Sequence, residues 1–182
     1  ELAVQKLARW QQEGHSDLYI SVNISTKDFY YMNVYETITA LVEKYRIIPS
    51  TLKLEITETA IMTGTAGELD MIEQFREYGF QVEIDDFGSG YSSFNTLKDM
   101  DVDVLKIDMG FLRTSKPENL EKSMSILNMI ISLSKTLGLS VVTEGVETKE
   151  QVVKLSQMGC GIYQGYYFSK PIPVEEFEKR YM

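Results

Sequence analysis

Short apolar runs and longer amphipathic segments alternate along the whole chain. The apolar runs are Leu18–Ile24, Leu52–Thr57, Phe80–Ile84, Val102–Ile107, Leu139–Thr143 and Gly161–Gln164. Each is short, rich in branched aliphatics or aromatics and bounded by turn residues, so each predicts a strand. Between them apolar residues recur at helical spacing. Leu2, Val4, Leu7, Ala8 and Trp10 form one such face, stopped at Gly14. Phe29, Met32, Tyr35, Ile38, Leu41, Val42 and Tyr45 form another, and predict a single helix from Asp28 to Tyr45 that is broken by Pro49 and Ser50. Further helices are expected around Gly67–Tyr78, near Phe94–Lys98, at Pro117–Leu137, Lys149–Met158 and Val174–Arg180. On the Pro117–Leu137 helix, Met124, Met129 and Ile130 read as core.

Strands that alternate with helices run parallel, because each crossover helix carries the chain back to the starting end of the sheet. An open doubly wound sheet and a closed barrel both satisfy this. The strand ends separate them. The six runs finish on Asn23, Glu55, Asp85 with Asp86, Lys106, Glu144 and Gln164, so every one carries a polar or charged side chain at its carboxyl end. In an open sheet only the strands beside the switch point carry functional ends. In a barrel all strand ends reach one mouth. The expectation is therefore an α/β fold, a modified TIM-type (β/α) barrel, forming one domain over residues 1–182.

Glu55, Asp85, Asp86 and Glu144 supply hard carboxylate oxygens, and Asn23 adds an amide oxygen. Such donors suit Mg²⁺ or Mn²⁺ and not a soft metal. Carboxylates gathered in one mouth repel one another unless cations compensate them. Adjacent Asp85 and Asp86 can each reach a different ion, and two ions about a phosphoryl group clamp its attacking and leaving oxygens. Lys106 then serves as a positive donor to the nucleophile or to the phosphoryl oxygens; the plainer reading is a structural ion pair with Asp85 or Asp108.

The charge balance narrows the partners. With 27 acidic against 18 basic residues the formal net charge is −9, which argues against a nucleic-acid polymer. A small phosphorylated ligand stays compatible with it once cations reverse the local sign. Cys160 is the single cysteine; it excludes an intrachain disulfide and a cysteine metal cluster, reads as a small buried filler, and fits a cytoplasmic setting. No apolar stretch reaches membrane-spanning length and no signal peptide opens the chain; tethering through segments outside it is compatible with both. His15, in a polar loop, reads as no ligand. Glu147 reads either as a second functional acid or as part of the start of the next helix.

Six motifs in order carry a family resemblance: Ser21-Val-Asn-Ile-Ser25, Leu54-Glu-Ile-Thr-Glu58, Ile84-Asp-Asp-Phe-Gly-Ser-Gly-Tyr-Ser-Ser93, Val104-Leu-Lys-Ile-Asp108, Thr143-Glu-Gly-Val-Glu147 and Gln164-Gly-Tyr-Tyr-Phe-Ser-Lys-Pro171. Together they resemble the EAL domain, the bacterial phosphodiesterase that hydrolyses cyclic di-GMP to linear pGpG. The resemblance implies a modified eight-stranded barrel, two Mg²⁺ or Mn²⁺ ions and a homodimer, with additional signalling domains in the full-length protein. It implies metal ligands at Asn23, Glu55, Asp85 and Asp86, catalytic residues at Lys106, Glu144 and Gln164, and a loop-positioning role for Glu58 toward the segment after Asp86. The aromatic run Tyr163, Tyr166, Tyr167 and Phe168 reads mainly as packing, with an exposed member suited to stacking on guanine. One departure stands out. The glutamate-alanine-leucine signature is absent; in the family it lies on an earlier strand and its glutamate ligates metal. Six strands against eight lead to the expectation of an incomplete barrel with two N-terminal strands missing. A cyclic di-GMP receptor without turnover is the alternative reading, and another metal-dependent barrel enzyme a third.

Overall fold

A computed structural model describes residues 1–88, 102–108, 110 and 117–182. Six parallel strands are hydrogen-bonded neighbours in chain order, β1 (Ile20–Ile24), β2 (Leu52–Thr57), β3 (Gln81–Phe87), β4 (Val104–Ile107), β5 (Ser140–Thr143) and β6 (Ile162–Tyr163). Helices flank them: α1 (Leu2–Gln12), α2 (Thr26–Tyr31), α3 (Val34–Tyr45), α4 (Glu58–Met62), α5 (Ala66–Tyr78), α6 (Pro117–Thr136), α7 (Lys149–Gln157) and α8 (Val174–Tyr181). All six expected strands are present. The expected helix near Phe94–Lys98 falls outside the described residues. The chain divides into two compact units, Glu1–Val104 and Leu105–Met182. Among the described residues no helix is long and apolar enough to cross a membrane.

In the first unit the register fixes two different faces. Val22 pairs with Leu54 and Leu54 with Val82; Ile24 pairs with Ile56 and Ile56 with Ile84. These even-numbered residues are aliphatic, and Leu54, Ile56, Val82 and Ile84 are at most 1% exposed. Each such side chain contributes roughly 1.5–3 kcal/mol by leaving water. The odd-numbered residues of the same strands, from Ser21 on β1 to Asp85 on β3, are polar and occupy the other face. Tyr35 of α3 and Phe75 of α5 pack with Tyr78 and Phe80, with ring centroids 5.3–6.3 Å apart. That aromatic cluster fastens both helices near the start of β3. Asp103 closes the unit: it accepts from Arg76 Nη2 at 3.1 Å and from the Val82 amide at 2.9 Å.

The single expected helix Asp28–Tyr45 is two helices. Met32 is extended (φ −151°, ψ 155°), and the Asn33 side chain accepts the Glu36 amide to start α3 anew. A local side-chain acceptor outcompetes helix continuation here. Helix α4 is an addition, capped by Thr57, whose hydroxyl accepts from the Ala60 amide.

In the second unit, Leu127, Ile130, Ile131 and Ser134 form the buried face of α6. Met129 is 63% exposed, so its assignment to the core is corrected. The buried positions recur at three and four residues, and Met129 lies off that stripe. Cys160 is free and buried. Its Sγ donates to the Ile162 carbonyl at 3.3 Å and meets the Thr143 hydroxyl at 3.2 Å, as expected of a small core residue.

Candidate active site

The first unit places four of the sequence-identified residues at the carboxyl ends of β1–β3. Asn23 pairs in register with Glu55, and one pleat repeat further Thr57 pairs with Asp85. Asn23, Glu55 and Asp85 therefore stand on one face of neighbouring strands, which lie roughly 4.8 Å apart. Glu55 is 8% exposed. A row of amide and carboxylate oxygens at this spacing fits a hard divalent cation, which takes oxygen ligands at about 2.0–2.6 Å. In a regular strand Asp86 would face away from Asp85. Its φ of +57° breaks the alternation at that residue. A non-glycine residue is uncommon in this region, and aspartate is among the few side chains that tolerate it. The backbone stays left-handed at Gly88 (φ +91°).

Glu58 opens α4 directly after β2 and is 4% exposed. Its Oε2 accepts the Gly88 amide at 2.9 Å. This places it against the turn that follows Asp86. Its Oε1 is buried with no hydrogen-bond partner among the described residues.

The second unit brings together the other three residues. Lys106, in the middle of β4, is 4% exposed. Its Nζ lies 2.8 Å from Glu144 Oε1. Lys106 thus forms an ion pair with Glu144. Glu144 follows β5, and its amide donates to the Ile107 carbonyl at 3.1 Å. Gln164 follows β6, and its amide donates to the Thr143 carbonyl at 2.9 Å. Its own carbonyl accepts from the Val146 amide at 3.1 Å. These bonds extend the ladder past the strand ends and fix where both side chains leave the backbone. Gly165 makes this possible: a Cβ there would lie 2.1 Å from the Val146 carbonyl oxygen.

Glu144 and Gln164 border a cavity of about 650 Å³, a size suited to a small organic ligand. Glu147, Tyr166, Lys170 and Phe177 also line it. Tyr166, Tyr167 and Phe168 are 60%, 43% and 52% exposed; Phe168 stacks on Tyr163 with centroids 6.1 Å apart and meets Tyr167 edge-on at 5.1 Å, so the run packs against itself while part of its surface stays open. The Glu147 amide donates to the Gln151 side chain at 2.7 Å, which ties that residue to the start of α7.

Reading the strand ends overlooked two buried charges one layer below them, Lys53 and Glu83, 9% and 2% exposed. The available signal was a charged residue at alternate positions inside strands as apolar as Leu52-Lys-Leu-Glu-Ile56 and Phe80-Gln-Val-Glu-Ile84.

The EAL domain family model matches residues 1–171. The bifunctional diguanylate cyclase/cyclic di-GMP phosphodiesterase MucR of Pseudomonas aeruginosa is 34% identical over 174 residues, covering 96% of this chain and 25% of that protein. The structure of the PaMucR phosphodiesterase in complex with c-di-GMP superposes with a TM-score of 0.87 at 34% identity, over 96% of this chain and 70% of that one. The manganese and cyclic di-GMP complex of Klebsiella pneumoniae BlrP1 superposes with a TM-score of 0.81 at 25% identity, over 92% of this chain and 43% of that one. The chain spans between 21% and 36% of the length of the first three curated relatives it matches.

Proposed function

The chain belongs to the EAL domain family, and on that premise we propose that it hydrolyses cyclic di-GMP to linear pGpG. Asn23, Glu55, Asp85 and Asp86 would hold two divalent cations, Mg²⁺ or Mn²⁺. When bound, such cations polarise the phosphoryl group and lower the pKa of the attacking water. Gln164 orients that water for in-line attack on one phosphodiester. The water oxygen bonds to phosphorus, the ester bond to one ribose oxygen breaks, and that oxygen takes a proton and leaves as a hydroxyl. Glu144 accepts the proton of the water at a carboxylate oxygen or completes the cation site. Lys106, charged and almost fully desolvated, stabilises the charge that develops on the phosphoryl oxygens. Its ion pair with Glu144 holds both side chains in place. Glu58 fixes the turn after Asp86. The proposal extends to a homodimer in the cytoplasm, with further signalling domains in the full gene product.

The observation that carries this reading is the row of oxygen donors on neighbouring strands, with Asn23 beside Glu55 and Asp85 one repeat beyond. A hydrolysis assay on cyclic di-GMP, with Mg²⁺ or Mn²⁺ and with chelator, tests it on the chain and on the full gene product. The expected result is cation-dependent release of pGpG by the full product, abolished in Glu144→Gln. Tight cyclic di-GMP binding without product would favour the receptor reading. Absence of both binding and hydrolysis would overturn the two together.

A further inference from the structure

The polar face of the first unit holds a buried charge pair that the proposed chemistry does not use. Glu83, near the middle of β3, is the direct register partner of Glu55 on β2. The two residues are 2% and 8% exposed. Carboxylates on adjacent parallel strands start from Cα positions roughly 5 Å apart, and they repel strongly where water is excluded. Two contacts turn Glu83 away. Lys53 Nζ donates to its Oε1 at 3.0 Å, and Ser21 Oγ donates to its Oε2 at 3.2 Å. Ser21 and Lys53 are themselves register partners, one pleat repeat before Asn23 and Glu55. Both oxygens of Glu83 are thus engaged on the side away from the strand ends. The Lys53 ammonium is held in turn by the Tyr19 ring, whose centroid lies 3.9 Å away.

We propose that Lys53 and Glu83 form the electrostatic floor of the cation site. Lys53 and Ser21 hold Glu83 down and Lys53 cancels its charge. A cation then meets Glu55 and the aspartates above it and is not drawn one layer deeper, between Glu55 and Glu83. Lys53 and Glu83 are positioning residues, acting through Glu55, and the inference rests on the reading that Asn23, Glu55, Asp85 and Asp86 hold a divalent cation.

An intact pair presents little net charge to the site, whereas either member alone presents a full one. The two single substitutions therefore shift cation affinity in opposite directions. Mn²⁺ binding to the full gene product is measured without substrate, by calorimetry and by the electron paramagnetic resonance of free Mn²⁺. Lys53→Met is expected to tighten Mn²⁺ binding by about tenfold while lowering hydrolysis, and Glu83→Gln to weaken binding by about tenfold. The combination Lys53→Met/Glu83→Met is expected to return affinity to within about twofold of the parent. A pair that serves packing alone would lower affinity in both single variants or leave it unchanged in both; either result overturns the proposal. Should Lys53→Met fail to fold, Glu83→Gln and Lys53→Met/Glu83→Gln carry the same test: affinity must rise from the single to the double variant, and a fall or no change overturns it. A parent protein that binds no Mn²⁺ refutes the cation reading and the floor with it. A parent that binds Mn²⁺, with variants that do not shift it, refutes the floor alone.

Discussion

Replacing Lys106 with methionine removes a charge and keeps most of the aliphatic volume. The Lys106 and Glu144 side chains are 5% and 15% exposed, and the charged atoms stand 2.8 Å apart. Removing one partner of a buried ion pair typically costs about 3–5 kcal/mol, because the other charge keeps its desolvation penalty without the compensating attraction. Glu144 borders a cavity and retains some exposure, so water recovers part of that loss. The lower end, about 3 kcal/mol, is the expected cost, or roughly a hundredfold in the folding equilibrium. With urea slopes of about 1–3 kcal/mol per molar, the unfolding midpoint falls by about 1–3 M. Glu144→Leu alone takes that carboxylate away from the ammonium and is expected to cost up to a similar amount. The double variant Lys106→Met/Glu144→Leu removes both charges and fills the space with apolar atoms. Its stability is expected within about 1 kcal/mol of the parent, since apolar replacements of buried pairs are often neutral or stabilising. If the proposed activity holds, hydrolysis of cyclic di-GMP is expected to be lost in all three variants. Urea titrations followed by circular dichroism, beside the hydrolysis assay, give both readouts. A Lys106→Met protein with the parent midpoint, or a double variant that loses the sum of the two singles, would refute the reasoning.

Two further outcomes rest on other parts of the fold. Gly165→Ala sets a methyl 2.1 Å from the Val146 carbonyl oxygen and 2.3 Å from the Val146 nitrogen; thermal melts are expected to show a loss at or above the usual overpacking range of about 1–3 kcal/mol. Gly161→Ala, with nothing within 4 Å of the added carbon, is the control that keeps parent stability. The Asp28 carboxyl is held below its ordinary range, first by the Ser25 hydroxyl and then by the Ser25 amide. A depressed folded-state pKa contributes stability that is present above the unfolded value and lost as pH falls through the folded one. Ser25→Ala should move the Asp28 titration, followed by NMR, back toward the ordinary carboxylate range. The same variant should lose more stability at neutral than at strongly acidic pH; a loss independent of pH would contradict the linkage.

The strands were legible because their punctuation is strong. Pro49 and Ser50 before β2, Gly79 before β3 and Gly138 before β5 stop the chain wherever a new apolar run begins. The candidate site residues stood out for a related reason, since a charged side chain at the end of an apolar run has few structural uses. What escaped the sequence depends on competition or on distance. The division between α2 and α3 escaped because apolar periodicity runs on through Met32, and only the Asn33 side chain, accepting the Glu36 amide, ends the phase. Helix α4 is five residues long, too short for a helical period to register. The ion pair of Lys106 with Glu144 escaped because Glu144 follows another strand and is placed by the ladder bond from its amide to Ile107, which no spacing rule reveals. Lys53 and Glu83 escaped because alternation of polar and apolar residues ordinarily marks a wet outer face, whereas here both faces of β2 are buried.

That last property has a consequence for how the chain folds at all. In β2 and β3 the aliphatic residues are even-numbered and Lys53, Glu55, Glu83 and Asp85 are odd-numbered. Sliding β2 by a single residue would exchange its two faces, drive Lys53 and Glu55 into the aliphatic layer and leave Leu54 and Ile56 among polar groups. Burying both charges without partners costs an amount comparable with the whole stability of an ordinary domain. The ionisable row thus acts as a key that admits one alignment of the sheet. Stripping it to hydrophobic residues would remove more than a site: a β2 that is aliphatic on both faces has little left to distinguish one register from the next.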